Sequence, residues 1–148
     1  MLELAQVKAG DTVYDLGCGD GRIVIAAVRD FKARRGIGVE IREDLVHKAR
    51  EAVLANGLVG RVEIVQADMF GVDIHDADVV ILYLSPIANE LIRPKLEREL
   101  RKGVRVVSRS FTLKGWKPIR EEPIRGGKLY LYRVGEEGIG GDTPAEEE

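Results

Sequence analysis

Cysteine is nearly missing from this 148-residue sequence. The single copy, Cys18, excludes an internal disulfide and fits a reducing, cytoplasmic setting. Histidine is almost as scarce, and with two histidines and one cysteine the sequence shows no metal site, so no metal is expected. No apolar run reaches the ~20 residues that cross a bilayer, and no charged-then-apolar leader opens the chain. A membrane association is therefore not expected. Aromatic residues make up 5% of the chain, too few for a surface that stacks bases, which disfavours nucleic acid as a partner. Asn and Gln are also rare (Asn56, Asn89, Gln6, Gln66) against 32% charged residues, a balance that points to a thermophilic source.

What remains is enough for one domain with a real core. Net charge is −2, but it is unevenly spread. Residues Gly135–Glu148 hold six of the 25 acids and no base, which leaves 19 acids against 23 Lys and Arg in the body. A domain over residues 1–134 and an acidic, disordered tail over 135–148 are expected, with a monomer favoured.

The chain is organised around Thr12–Arg22, T-V-Y-D-L-G-C-G-D-G-R. An apolar strand runs into glycines at alternate positions, Gly17, Gly19 and Gly21, and an apolar helical run follows from Ile23 to Val28. Strand, glycine turn and helix form the opening unit of a nucleotide-binding α/β sheet. A dinucleotide fingerprint would need its third glycine at position 22, which is Arg22. Asp15, two residues before the first glycine, is a poor neighbour for a pyrophosphate and a good one for a cation. A second strand, Gly36–Val39, ends in Glu40, where acids hydrogen-bond ribose hydroxyls. A third, Arg61–Gln66, ends in Ala67-Asp68-Met69. Three acids thus stand at three successive strand ends.

Periodicity supplies the other elements. The spacing predicts a turn ending a helix over Met1–Val7, helices over Arg22–Phe31 and Arg42–Asn56, and a continuous apolar strand over Ala77–Leu84. A turn over Asn89–Ile92 is expected next, and Pro94 suits the first position of a helix over Pro94–Arg101. Val104–Ser108 reads as strand five. Ile119–Ile124 and Lys128–Val134 read as an antiparallel pair.

D-x-G-x-G-x-G over Asp15–Gly21 resembles motif I of the seven-strand, class I S-adenosylmethionine-dependent methyltransferases. More narrowly, Val13–Arg22, Gly38–Ile41, Pro94–Leu100, Arg105–Ser108, Gly115-Trp116 and the closing L-Y-L-Y resemble the small archaeal protein-lysine methyltransferases, related to eukaryotic mitochondrial lysine methyltransferases of the FAM173 group. The resemblance implies an α/β, Rossmann-like, doubly wound, mostly parallel sheet of order 3-2-1-4-5-7-6 with strand seven antiparallel, in a minimal version with reduced helices. S-adenosyl-L-methionine is the implied cofactor. Its implied contacts are Asp15, Gly17, Cys18, Gly19, Asp20, Gly21, Glu40, Ile41, Asp68, Met69 and Tyr83, with Glu40 on the ribose and Asp68 on the adenine amino group. Tyr83, Leu84, Ser85, Asn89 and Trp116 are the candidates for a substrate channel. Ser85-Pro86 stands where many amino-group methyltransferases have Asn/Asp-Pro-Pro-Tyr. The family also implies a Pro- and Thr-rich segment ahead of this chain's Met1, covering the cofactor. Protein lysines are the implied substrate. RNA and small-molecule methyltransferases, and a cofactor-binding subunit without activity, stay open as alternatives.

Overall fold

Each apolar run of the sequence becomes one strand or helix of a seven-strand sheet in a computed structural model, which describes residues 1–136. The strands are β1 (Thr12–Leu16), β2 (Arg35–Glu40), β3 (Val62–Gln66), β4 (Val79–Leu82), β5 (Arg105–Arg109), β6 (Arg120–Ile124) and β7 (Gly127–Arg133). They lie in the order β3-β2-β1-β4-β5-β7-β6. The first five are parallel, and β7 runs antiparallel to both β5 and β6. Helices are α1 (Arg22–Arg29), α2 (Glu43–Ala55) and α3 (Pro86–Glu99). After β3 only a 3-10 turn forms, Met69–Gly71, and β5 runs into β6 without a helix. The reduced version of the fold is what stands. Of the acidic tail expected from Gly135, residues 137–148 lie outside the described residues.

Alternation along the strands divides the core in two. Val13, Val79, Ile81, Val107, Leu129 and Leu131 face α1, α2 and the N-terminal turns. Tyr14, Leu16, Val80, Leu82, Val106 and Tyr132 face α3, the Met69–Ile74 segment and Trp116. Helix α1 sits unusually close because β2 carries Gly36, where an added Cβ would lie 3.0 Å from the Val24 carbonyl oxygen.

Two expectations are corrected. The helix foreseen over Pro94–Arg101 begins eight residues earlier, and the turn foreseen over Asn89–Ile92 lies within it. Ser85 caps it, its Oγ accepting from Ala88 N at 3.1 Å, and Pro86 rather than Pro94 fills the first turn. Pro94 lies inside the helix on its exposed side, where water can satisfy the carbonyl it releases. Met1–Val7 forms turns that match the helix end expected there: Ala5 N donates to Met1 O at 3.1 Å, Gln6 takes a left-handed φ of 55°, and Gln6 N and Val7 N close back on Glu3 O (3.0 Å) and Leu2 O (3.2 Å).

Those turns are held from the sheet. Arg105, at the start of β5 and 9% exposed, donates from Nη1 to the carbonyls of Ala5 (2.9 Å) and Gln6 (3.0 Å), and from Nη2 to Asp11 Oδ1 (3.0 Å). Removing one partner of a buried pair leaves the other charge uncompensated. Arg105→Ala is expected to cost about 3–5 kcal/mol in urea unfolding. A loss below about 1 kcal/mol would show that the N-terminal turns do not depend on this side chain.

Candidate functional site

The glycine turn after β1 is built on positive φ: 85° at Gly17, 58° at Gly19 and 84° at Gly21. Gly17 N and Cys18 N both donate to Val39 O, at 2.8 and 2.9 Å, so the turn is laid across the end of β2. Cys18 fits there because β2 has Gly38, where an added Cβ would lie 2.7 Å from Cys18 Sγ. Burial first, and the nearby Asp15 and Glu40 carboxylates next, push the Cys18 thiol up to about 12, so it stays neutral.

Glu40 fastens the turn from the other side. Its Oε1 accepts from Gly19 N at 2.8 Å, and its Oε2 accepts from Ile41 N and Arg42 N, each at 3.1 Å. The carboxylate is 8% exposed and retains lone pairs for hydroxyl donors. Asp15 is 3% exposed and receives no hydrogen bond among the described residues. Burial, then the Glu40 charge, raises its carboxyl to about 7. A buried carboxyl with no partner is suited to a cation arriving from outside. Asp68 caps the 3-10 turn, its Oδ1 accepting from Phe70 N at 3.0 Å.

Gly17, Glu40 and Asp68 of these groups line one cleft of about 290 Å³ at the carboxyl ends of the parallel strands, whereas Asp15, Cys18, Gly19, Asp20 and Gly21 are not among its lining residues. Gly17, Glu40, Ile41, Asp68, Met69, Phe70 and Leu84 line it together with Val39 and Ala67. Such a space takes an adenosine-sized group, with apolar walls for the base and carboxylates for hydroxyl and amino donors. An added Cβ on Gly17 would stand 3.2 Å from Leu84 Cδ2, which closes the cleft toward β4. Asp20 lies on the outer side of the turn, paired with Arg22 at 2.7 Å.

The substrate-channel candidates are more dispersed. Tyr83 is 56% exposed and is not among the cleft's lining residues; the Arg109 guanidinium lies 4.6 Å from its ring centroid. Ser85 is exposed at the helix cap. Asn89 is 1% exposed, and its Nδ2 faces Ser108 Oγ (3.1 Å), Phe111 O (3.1 Å) and Thr112 O (3.3 Å), while Oδ1 has no partner. Trp116 is buried edge-on against Tyr132 and donates from Nε1 to Glu97 Oε2 at 2.8 Å. Asn89 and Trp116 therefore hold the 111–116 loop against α3. Arg109 and the room that Gly38 makes for Cys18 escaped the sequence reading; a glycine inside a strand was the available signal for the second. Asp73, His75 and Glu99 form the one group of metal-ligand type among the described residues, but Glu99 already accepts from Lys95 Nζ (2.7 Å) and Ile74 N (3.1 Å).

A seven-strand sheet of this order, with a glycine turn after β1 and acids at three strand ends, is the frame of the class I S-adenosylmethionine-dependent methyltransferases. Residues 15–120 match the ANTKMT methyltransferase domain, and the chain belongs to that family. It is 45% identical over 140 residues to a protein-lysine N-methyltransferase of Saccharolobus islandicus, covering 92% of this chain and 87% of that protein. It is 37% identical over 134 residues to the mouse adenine nucleotide translocase lysine N-methyltransferase, spanning 90% of this chain and 58% of that protein. A solved structure from Salinibacter ruber, described as an RNA methyltransferase in complex with S-adenosyl-L-homocysteine, superposes with a TM-score of 0.88 at 46% identity, covering 92% of this chain and 88% of that one. S-adenosylmethionine is the cofactor of this class.

The raised Asp15 carboxyl has a measurable consequence. The folded state holds this proton more tightly than the unfolded chain, whose carboxyl titrates near ~3.9, so stability falls as pH rises from about 4 to about 7 and levels above. Asp15→Asn should abolish that part of the slope in urea midpoints taken between pH 5 and 8. A slope equal to the wild type's would show that Asp15 is not the titrating group.

Proposed function

We propose that the protein methylates lysine ε-amines of proteins, with broad choice of target sequence. The observation that carries this reading is the 45% identity across nearly the whole chain to an archaeal protein-lysine N-methyltransferase. In this reading Glu40 binds the ribose hydroxyls through its remaining lone pairs. Asp68 accepts from the adenine amino group, with Met69 and Phe70 against the ring face and Ile41 beside it. Asp15 faces the cationic methionine end, along which Gly17, Cys18, Gly19, Asp20 and Gly21 allow close backbone approach. When bound, S-adenosylmethionine supplies a sulfonium methyl group for in-line transfer to a neutral amine.

The chain's own task is positioning and water exclusion. A lysine must shed its proton despite a reference pKa of ~10.4, and an apolar entrance favours the neutral form. Tyr83, Leu84 and Ser85 stand at that entrance, at the end of β4. Ser85 Oγ already accepts from Ala88 N, which leaves its hydroxyl proton free. Asn89 and Trp116 serve at one remove, by holding the 111–116 loop that walls the entrance. Among the described residues no side chain stands out as a general base.

The reading includes a monomer in the cytoplasm of a heat-adapted organism, supported by the lone buried Cys18 and by ion pairs such as Glu90–Arg93–Glu97. No helix among the described residues is long and apolar enough to cross a membrane. RNA is the second reading, favoured by the description of the Salinibacter ruber neighbour.

Labelled S-adenosylmethionine, incubated with the protein and separate pools of protein, RNA and small metabolites, decides between them. Label on lysines of many proteins is the expected outcome. Label confined to RNA would overturn the reading.

A further inference from the structure

Helix α3 is patterned inside out. Its buried side carries Asn89, Ile92, Lys95 and Leu96, two of them polar, while Ile87 is 73% and Leu91 60% exposed. Pro94 is exposed a further turn along. Positions 87, 91 and 94 fall on one stripe of the helix. The buried donors have their own partners: Asn89 Nδ2 bonds the 111–112 carbonyls and Lys95 Nζ bonds Glu99 at 2.7 Å. Beside the stripe, Arg93 is paired with Glu90 and Glu97. No described residue covers the stripe, and the helix is anchored without it. Single exposed aliphatics are ordinary, but a row that starts at the first turn after Ser85 is not scatter.

We propose that this stripe seats the apolar neighbours of the target lysine in a protein substrate, so that hydrophobic flanks rank the targets. The proposal rests on the lysine reading above. It follows from continuity: Ile87 is two residues beyond Ser85, so a chain whose lysine enters at the end of β4 must pass over the first turn of α3. Ile87 to Pro94 spans about 10 Å of helix, the length of roughly three extended residues. The stripe therefore reads positions two to four residues from the lysine.

Size and charge select this occupant. Three side chains offer on the order of 300 Å², short of the ~800 Å² per partner of a stable interface, which disfavours a second copy and suits a segment that comes and goes. The flank has no basic excess, because Glu90 and Glu97 are paired with Arg93 and balance exposed Arg98, so it offers no cationic patch to an anionic lipid surface or a phosphate backbone.

The test uses the full chain and two lysine peptides, one with leucine or isoleucine at positions two to four on both sides of the lysine and one with serine there. Methylation rates are measured, and peptide binding is followed by fluorescence anisotropy with S-adenosylhomocysteine present. The apolar peptide should show a KM and Kd about tenfold lower, with similar kcat. The double variant Ile87→Ser/Leu91→Ser should erase that preference while leaving the serine peptide's rate and the melting temperature unchanged. Equal binding of the two peptides by the wild type, or a preference that survives the double variant, would overturn the proposal. Apolar-selective binding without methyl transfer would support the surface and instead overturn the lysine reading.

Discussion

The Glu40 carboxylate is the fastening on which the site depends. Three backbone N–H groups converge on it, one from the glycine turn and two from the chain that leaves β2. Charge-assisted bonds of this kind are about twice as strong as neutral ones. They lock the β1–α1 turn to the β2–α2 turn before any ligand arrives. The Val39 carbonyl adds a second lock by accepting from both Gly17 N and Cys18 N. The turn is thus preorganised, and binding need not supply the entropy of ordering it.

Around this rigid half the rest of the chain is economical. The segment after β3 is reduced to a capped 3-10 turn, which leaves Asp68 and Phe70 at the rim instead of under a helix. The segment after β5 has no helix either, and its 111–116 loop is held by Asn89, Trp116 and the Tyr132 hydroxyl, which accepts from Leu113 N at 3.0 Å. Burial pushes that phenol up to about 12, so it stays neutral near pH 7. The cofactor side is built from backbone and charge. The proposed entrance side consists of one helix and one loop, α3 and residues 111–116.

Much of this was legible in the sequence because it rests on local rules. Glycines at alternate positions, acids at strand ends and apolar runs of strand length carry their meaning within a few residues. The seven strands and the cleft acids follow from those signals and from the family resemblance. Helix α3 was read too short because Pro94 looks like a helix start while Asn89 and Lys95 break the apolar period. Their burial is repaid by Ser108, the 111–112 carbonyls and Glu99, partners that no local pattern announces. The same long-range dependence hid Arg109 above Tyr83 and the room that Gly38 makes for Cys18.

The central claim is that Glu40 both fastens the glycine turn and receives the ribose. Titration calorimetry of S-adenosylhomocysteine binding to the wild type and to Glu40→Gln tests it most directly. The amide keeps the shape, loses the charge and can accept on one side only. A Kd raised about 10- to 100-fold is expected. An affinity within twofold of the wild type would contradict the assignment.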